Sequence, residues 1–302
     1  MINASKSGLQ GIIPAICTPM NEDGSINLSL LEKQTDYLVQ AGVHGLFICG
    51  GNGEGAYLAT QEKKEVYKCV RSVAGKKVFL CLAMIQPSTA ATLEEMKFLE
   101  DCDADYIVST TPFYYKADQN VIRAHFKEVA ARAHAPVIIY NIPSSTNNPV
   151  ELETIYALSG LDNIAGVKDS SGDFCSFSRG LLGPRYDKFS WIQGEDYLCA
   201  PSLLCGANGM VSGLSNARAE PYVEMYRAYE AGDASGILKC QSKINMMYKI
   251  INGVYSANGV GAIKAATELS GRGSRWMREK ALTLSDEQIR AVAKIMEEYE
   301  SV

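Results

Sequence analysis

Lys168 closes the apolar segment IAGVK (164 to 168), just before the turn-forming stretch DSSGD. A strand end bound for a core desolvates an ammonium group, and desolvation disfavours the charged form. The neutral amine can attack a keto carbon and form a Schiff base, whose iminium nitrogen draws electrons from the adjacent carbon. That carbon can then lose a proton, or a carbon–carbon bond next to it can break. Such chemistry needs a proton carrier, and Tyr140 ends the preceding apolar segment, PVIIY (136 to 140). The competing reading makes Lys168 a structural partner of Asp169. Asp169 itself reads as a residue that finishes a turn, while Ser170 and Asp173 match a capping box for the helix that follows.

A second stretch, FICGGNGEGAYL (47 to 58), frees backbone amides at its glycines. Those amides can hold a small carboxylate, with Asn52 adding a side-chain donor. Gly51, Gly53 and Ala56 also fit the dinucleotide spacing G-x-G-x-x-G/A. A nucleotide loop would open its helix directly, however, and here the helix cap is expected later, at Thr60. A tight turn without a ligand is the remaining reading. STTPFYYKADQ (109 to 119) carries three aromatic residues, of which Phe113 and Tyr115 are expected to serve packing.

These residues need a scaffold that brings strand ends together. Eight apolar segments begin at residues 11, 45, 77, 105, 136, 164, 189 and 209, separated by stretches with helix signals. Gly42 ends one such helix, and Thr60 and Ser88 open others. Near-continuous apolar strands alternating with helices predict a parallel sheet covered on both faces, and eight units predict a closed (β/α)8 TIM barrel. Residues 1–225 would form the barrel and 226–302 a C-terminal helical extension of the same domain, with helices in 234–252, 261–271 and 285–300. In such a barrel the chemistry sits where the C-terminal ends of the strands meet, so Tyr140 and Lys168 should emerge at one mouth.

Composition removes several function classes. The 302 residues carry 29 basic and 34 acidic side chains, a net charge of −5, which leaves no basic footprint for nucleic acid and no polybasic membrane patch. Residues 1–10 hold no apolar signal core, and no stretch reaches the roughly 18 apolar residues of a membrane span. A cytoplasmic protein is expected. Nine cysteines lie scattered without a C-x-x-C pair and read as reduced thiols in packed positions. The three histidines, His44, His125 and His134, lie away from the predicted strand ends, so no metal site is expected at the mouth and a metal-dependent aldolase is disfavoured.

GGNGE (50–54), TPFYY (111–115), YNIPSST (140–146) and GVKDSSGD (166–173) stand in the order and spacing of a known family. The chain resembles the dihydrodipicolinate synthase and N-acetylneuraminate lyase family of pyruvate-dependent class I aldolases, from about residue 9 into the C-terminal helices. The resemblance implies a homotetramer, a dimer of dimers, in which Lys168 forms a Schiff base with pyruvate and no other cofactor is needed. It implies that Tyr140 donates and accepts the proton and that Tyr114 is the tyrosine supplied across a dimer contact. Gly51 and Asn52 would hold the pyruvate carboxylate, and Val211, Ser145 and Asp196 would face the rest of the substrate.

Departures from the family pattern point to a branch. Members usually carry hydroxyl residues at positions 51 and 52, where this chain has Gly51 and Asn52. The synthases place an arginine for the semialdehyde carboxylate at the position of Ser145. The sialic acid lyases have a second acid at the position of Tyr197 and a serine at that of Gly213. The expectation is therefore a lyase for a shorter 2-keto-3-deoxy sugar acid or related 2-oxo acid. Dihydrodipicolinate synthase activity and a catalytically degenerate barrel that binds a keto acid are the alternatives.

Overall fold

The computed structural model describes residues 8–184, 187–254 and 259–301. Eight parallel strands form one sheet: β1 (Gly11–Pro14), β2 (Gly45–Ile48), β3 (Phe79–Met84), β4 (Tyr106–Thr110), β5 (Val137–Asn141), β6 (Ile164–Asp169), β7 (Ser190–Gln193) and β8 (Gly209–Ser212). Consecutive strands pair from β2 round to β8, β8 pairs with β1, and hydrogen bonds from His44 to Ile12 and from Ile16 to Phe47 close the ring. This is a (β/α)8 barrel, as the alternation of segments predicts.

The helices between strands are α1 (Leu28–Ala41), α2 (Thr60–Ala74), α3 (Thr89–Phe98), α4 (Gln119–Arg132), the single-turn α5 (Pro143–Thr146), α6 (Leu152–Ser159), α7 (Phe174–Leu182) and α8 (Cys199–Leu204). Beyond β8 come α9 (Glu220–Glu230), α10 (Ala234–Met247), α11 (Lys249–Asn252), α12 (Val260–Leu269) and α13 (Asp286–Glu300). The position expected to divide barrel from extension, 225/226, lies within α9.

Local chemistry explains most boundaries. Gly42 ends α1 in the left-handed region, φ 88°, and Ser88 accepts a hydrogen bond from the Ala91 amide at the start of α3. Two caps differ from expectation. Ala59, not Thr60, precedes α2, because the Glu62 carboxylate folds back to the Ala59 amide. Asp173 caps α7 through the Ser176 amide, so the box expected between Ser170 and Asp173 does not form. β5 and β6 also run one residue past Tyr140 and Lys168. Asn141 donates to Asp169 at 2.7 Å, and the Ser170 amide bonds the Asn141 carbonyl, which extends the ladder.

Alternation along the strands sorts the core into two layers. Ile13, Phe47, Val108, Ile138, Tyr140 and Val211 fill the barrel interior, while Ile12, Leu46, Ile107, Ile139 and Val167 pack outward against the helices. Of the nine cysteines, Cys175 is exposed and Cys205 half-buried, and the other seven pack into the core. No helix among the described residues is long and apolar enough to cross a membrane.

Candidate active site

Tyr140 and Lys168 are register partners on β5 and β6, so their side chains leave the sheet on the same face. Adjacent strand residues point to opposite faces, and Asp169 therefore cannot meet Lys168. Its carboxylate instead accepts from Asn141, from the Ser171 amide at 3.0 Å and from the Ser171 hydroxyl at 2.6 Å. Asp169 is the turn residue the sequence suggested. Lys168 is only 5% exposed, and its Nζ lies 3.8 Å from the Tyr140 ring centre and 4.5 Å from that of Phe47. Two aromatic faces thus attract the cation, each worth roughly 0.5–2 kcal/mol. No carboxylate among the described residues forms an ion pair with it.

The glycine loop after β2 is tightly built. Cys49 and Glu54 adopt φ values of 58° and 54°, and the amides of Glu54 and Gly55 bond back to Gly51 and Gly50. A β-carbon on Gly55 would lie 1.7 Å from the Cys49 carbonyl oxygen, so only glycine allows this closure. The strained turn is held from outside. Glu54 is buried, its Oε1 bonds Lys264 of α12 at 2.6 Å, and its Oε2 accepts the Arg278 amide at 2.9 Å. Thr18 adds a hydrogen bond to the Gly53 carbonyl at 2.8 Å. The C-terminal helices therefore fold back onto the mouth and brace the loop expected to hold a carboxylate.

A cavity of about 560 Å³ opens at this mouth. Lys168, Tyr140, Gly51, Asn52, Ser145, Asp196 and Val211 all line it, so residues spread over 160 positions meet at one cavity. Tyr114 does not join them. Its side chain is 84% exposed, its backbone sits at φ 78°, and its ring packs edge-on to Tyr115 at 4.9 Å. Among the described residues no element covers it. Phe113 lines the cavity and Tyr115 is exposed.

Asp196 stands in the wall with its Oδ1 already engaged. Ser212 donates to it at 2.5 Å and Tyr222 at 2.6 Å, which ties the end of β7 to β8 and α9. Burial pushes its carboxyl up to about 6, against the lowering effect of those two hydroxyls.

Several lining residues carry no sequence signal of their own. Glu195 follows β7, and among the described residues its side chain accepts a hydrogen bond only from the Tyr248 hydroxyl, at 3.3 Å. Tyr248 stacks on Tyr197, ring centres 4.1 Å apart, and Asn252 donates to the Tyr197 hydroxyl. Tyr248, Ile251 and Ile263 from the C-terminal helices, and Met277 from the segment between α12 and α13, reach the cavity, too far along the chain for spacing to reveal them. Glu195 was visible only as the neighbour of Asp196.

Two of the three histidines serve structure. His44 accepts the Ile12 amide at the N-terminal end of β2, and His125 is buried in α4 between Thr89 and Ser109. Among the described residues no three His, Cys, Asp or Glu side chains converge as a metal ion would require.

The sequence profile of the dihydrodipicolinate synthetase family matches residues 8–299. An uncharacterized DapA-like lyase of Halobacterium salinarum is 32% identical over 280 residues, 93% of this chain and 90% of that protein. A 4-hydroxy-tetrahydrodipicolinate synthase of Microcystis aeruginosa is 32% identical over 288 residues, 95% of this chain and 96% of its own. A solved structure of a chloride-inhibited dihydrodipicolinate synthase from Acinetobacter baumannii, complexed with pyruvate, superimposes with a TM-score of 0.88. That likeness has 25% identity and covers 97% of this chain and 100% of the other.

Proposed function

This chain belongs to the dihydrodipicolinate synthetase family, and on that premise we propose that it is a class I lyase cleaving a 2-keto-3-deoxy sugar acid, or a related 2-oxo acid, reversibly to pyruvate and an aldehyde. The observation that carries this reading is Lys168: buried, set on two aromatic faces, and unpaired with any carboxylate among the described residues. A structural lysine at 5% exposure would need a counter-ion.

The reaction follows from the placement of the side chains. The Lys168 amine attacks C2 of the 2-oxo acid, and the Tyr140 hydroxyl gives its proton to the departing hydroxyl, so that loss of water leaves an iminium ion on Nζ and a phenolate at Tyr140. Tyr140, on the neighbouring strand, takes the proton from the C4 hydroxyl as the C3–C4 bond breaks. The bonding electrons pass into the iminium, which becomes an enamine, and the aldehyde leaves. Protonation of C3 and addition of water then return pyruvate and the free amine. The glycine-loop amides and Asn52 hold the carboxylate throughout. The lysine is the electron sink, so no separate cofactor is invoked, a reading supported by the pyruvate complex of the Acinetobacter relative.

Synthase activity, as in the Microcystis relative, would share the first half of this sequence. The cavity favours the lyase. Lys168 is the one cationic side chain among its described lining residues, and Ser145 offers no charge for a second carboxylate. A cytoplasmic homotetramer acting on small 2-oxo acids, without nucleic acid or membrane, is the assembly we propose. The exposed pair Tyr114 and Tyr115 supports a contact with another subunit.

Borohydride added with pyruvate tests the chemistry. The protein should gain the mass of one reduced adduct and lose activity, and Lys168→Ala should gain none. A panel of 2-keto-3-deoxy acids assayed for pyruvate release identifies the substrate. Unchanged mass in the wild-type protein refutes the lyase, and an adduct without release from any acid marks a degenerate keto-acid binder.

A further inference from the structure

Gly213 follows β8 at the cavity wall with φ −80° and ψ −42°, a conformation open to any residue. Backbone freedom is not the reason for glycine here. A β-carbon built on it would lie 2.2 Å from Nδ2, 2.7 Å from Cγ and 2.8 Å from Oδ1 of Asn52. The carboxamide of Asn52 therefore occupies the space that a side chain at 213 would need. The loop backbone is fixed by the Glu54 and Gly55 amides, by Thr18 and by the Glu54–Lys264 pair, so a side chain at 213 would displace the carboxamide by turning it about its own side-chain bonds. The carboxamide has no hydrogen-bond partner among the described residues, and it faces the cavity.

We infer that Gly213 is a positioning residue that acts through Asn52. The missing β-carbon lets the carboxamide lie against the end of β8, and from there Nδ2 donates to the carboxylate of the bound 2-oxo acid. Asn52, which stands where the family usually has a hydroxyl residue, and Gly213, which stands where the sialic acid lyases have a serine, are then one structural unit. A carboxamide reaching across from β2 replaces hydroxyls at both places. Gly213 itself is a positioning residue, since it touches the ligand only by leaving room for its neighbour. The assignment of the carboxylate rests on the lyase reading, but the coupling can be measured without it.

The experiment is a double-mutant cycle on Asn52→Ala and Gly213→Ala, reading the half-saturating pyruvate concentration for borohydride trapping, kcat for release and the melting temperature. Either single change should raise the half-saturating concentration about tenfold, as expected for a lost hydrogen bond to a charged group. In the Asn52→Ala background, Gly213→Ala should add less than about twofold, because the group it displaces is gone. An equal cost of Gly213→Ala in both backgrounds, or no cost in either, overturns the inference. If Gly213→Ala lowers the melting temperature, Asn52→Ala must restore it, and a loss that persists also overturns it. Calorimetric titration of the same set with pyruvate, each carrying Lys168→Ala, reads the coupling without Schiff-base formation. An adduct-free wild type that still shows the coupling would therefore sink the lyase reading alone.

Discussion

Lys168 Nζ rests 3.8 Å from the ring centre of Tyr140, its register partner on the next strand. The nitrogen lies over the ring of the residue whose hydroxyl is the proposed proton carrier. Tyr140→Phe keeps that aromatic face and removes only the proton carrier. Turnover should fall about 10²- to 10⁴-fold while the borohydride adduct still forms. A kcat within about threefold of wild type excludes Tyr140 from proton transfer.

Ser145 lines the cavity without any cationic neighbour among the described lining residues other than Lys168. A second carboxylate in a desolvated site needs a charge-assisted pair. Condensation of pyruvate with aspartate semialdehyde should therefore be at least about a hundredfold less efficient than cleavage of the best sugar acid, a gap of about 2.7 kcal/mol. Ser145→Arg should narrow it. Comparison of kcat/KM for the two substrates decides, and an efficient wild-type synthase would reverse the ranking.

Lys264 and Glu54 form an ion pair with almost no exposure, 1% and 2% for the two side chains. Lys264→Met leaves a buried carboxylate without its cation and should cost about 3–5 kcal/mol in denaturant unfolding. Adding Glu54→Gln should recover part of that loss. The same pair braces the strained glycine loop, so half-saturating pyruvate should rise in Lys264→Met. If both stability and pyruvate binding survive the single change, the bracing role is wrong.

His125 donates from Nε2 to the Thr110 carbonyl, and the Thr89 hydroxyl completes its shell at Nδ1. Burial holds its pKa down at about 4, against an ordinary 6.5. The unfolded chain thus binds this proton first, and stability falls as pH drops from about 6.5 to about 4, by roughly 3 kcal/mol in all. Asp196, raised to about 6, acts in the opposite sense over much of that range. The His125 contribution is isolated by unfolding wild type and His125→Asn in parallel. The advantage of wild type should shrink by roughly 3 kcal/mol between pH 7 and pH 4, and a constant difference counts against it.

Much was decided by sequence alone, because strands and helices carry their periods locally. Eight apolar segments at βα spacing require a barrel, and the barrel puts every strand end at one mouth. Tyr140 and Lys168 could be named for that reason, and Gly51 and Asn52 because a glycine loop after a strand frees its amides. The register that sets Lys168 on the Tyr140 ring, and turns Asp169 away, follows from the alternation of strand faces. Other features depended on approach in space. Ser170 and Asp173 matched a capping box in sequence, yet the pairing of Asn141 with Asp169 carried β6 one residue further and left Asp173 as the cap. Asp196 lines the cavity, but its ties to Ser212 and Tyr222 could not be read from the sequence. Tyr248, Ile263 and Met277 reach the cavity because the C-terminal helices fold back over it, and Lys264 finds Glu54 across 210 positions. Such contacts have no period to read, since they arise only when the chain closes on itself and buried charges must find partners.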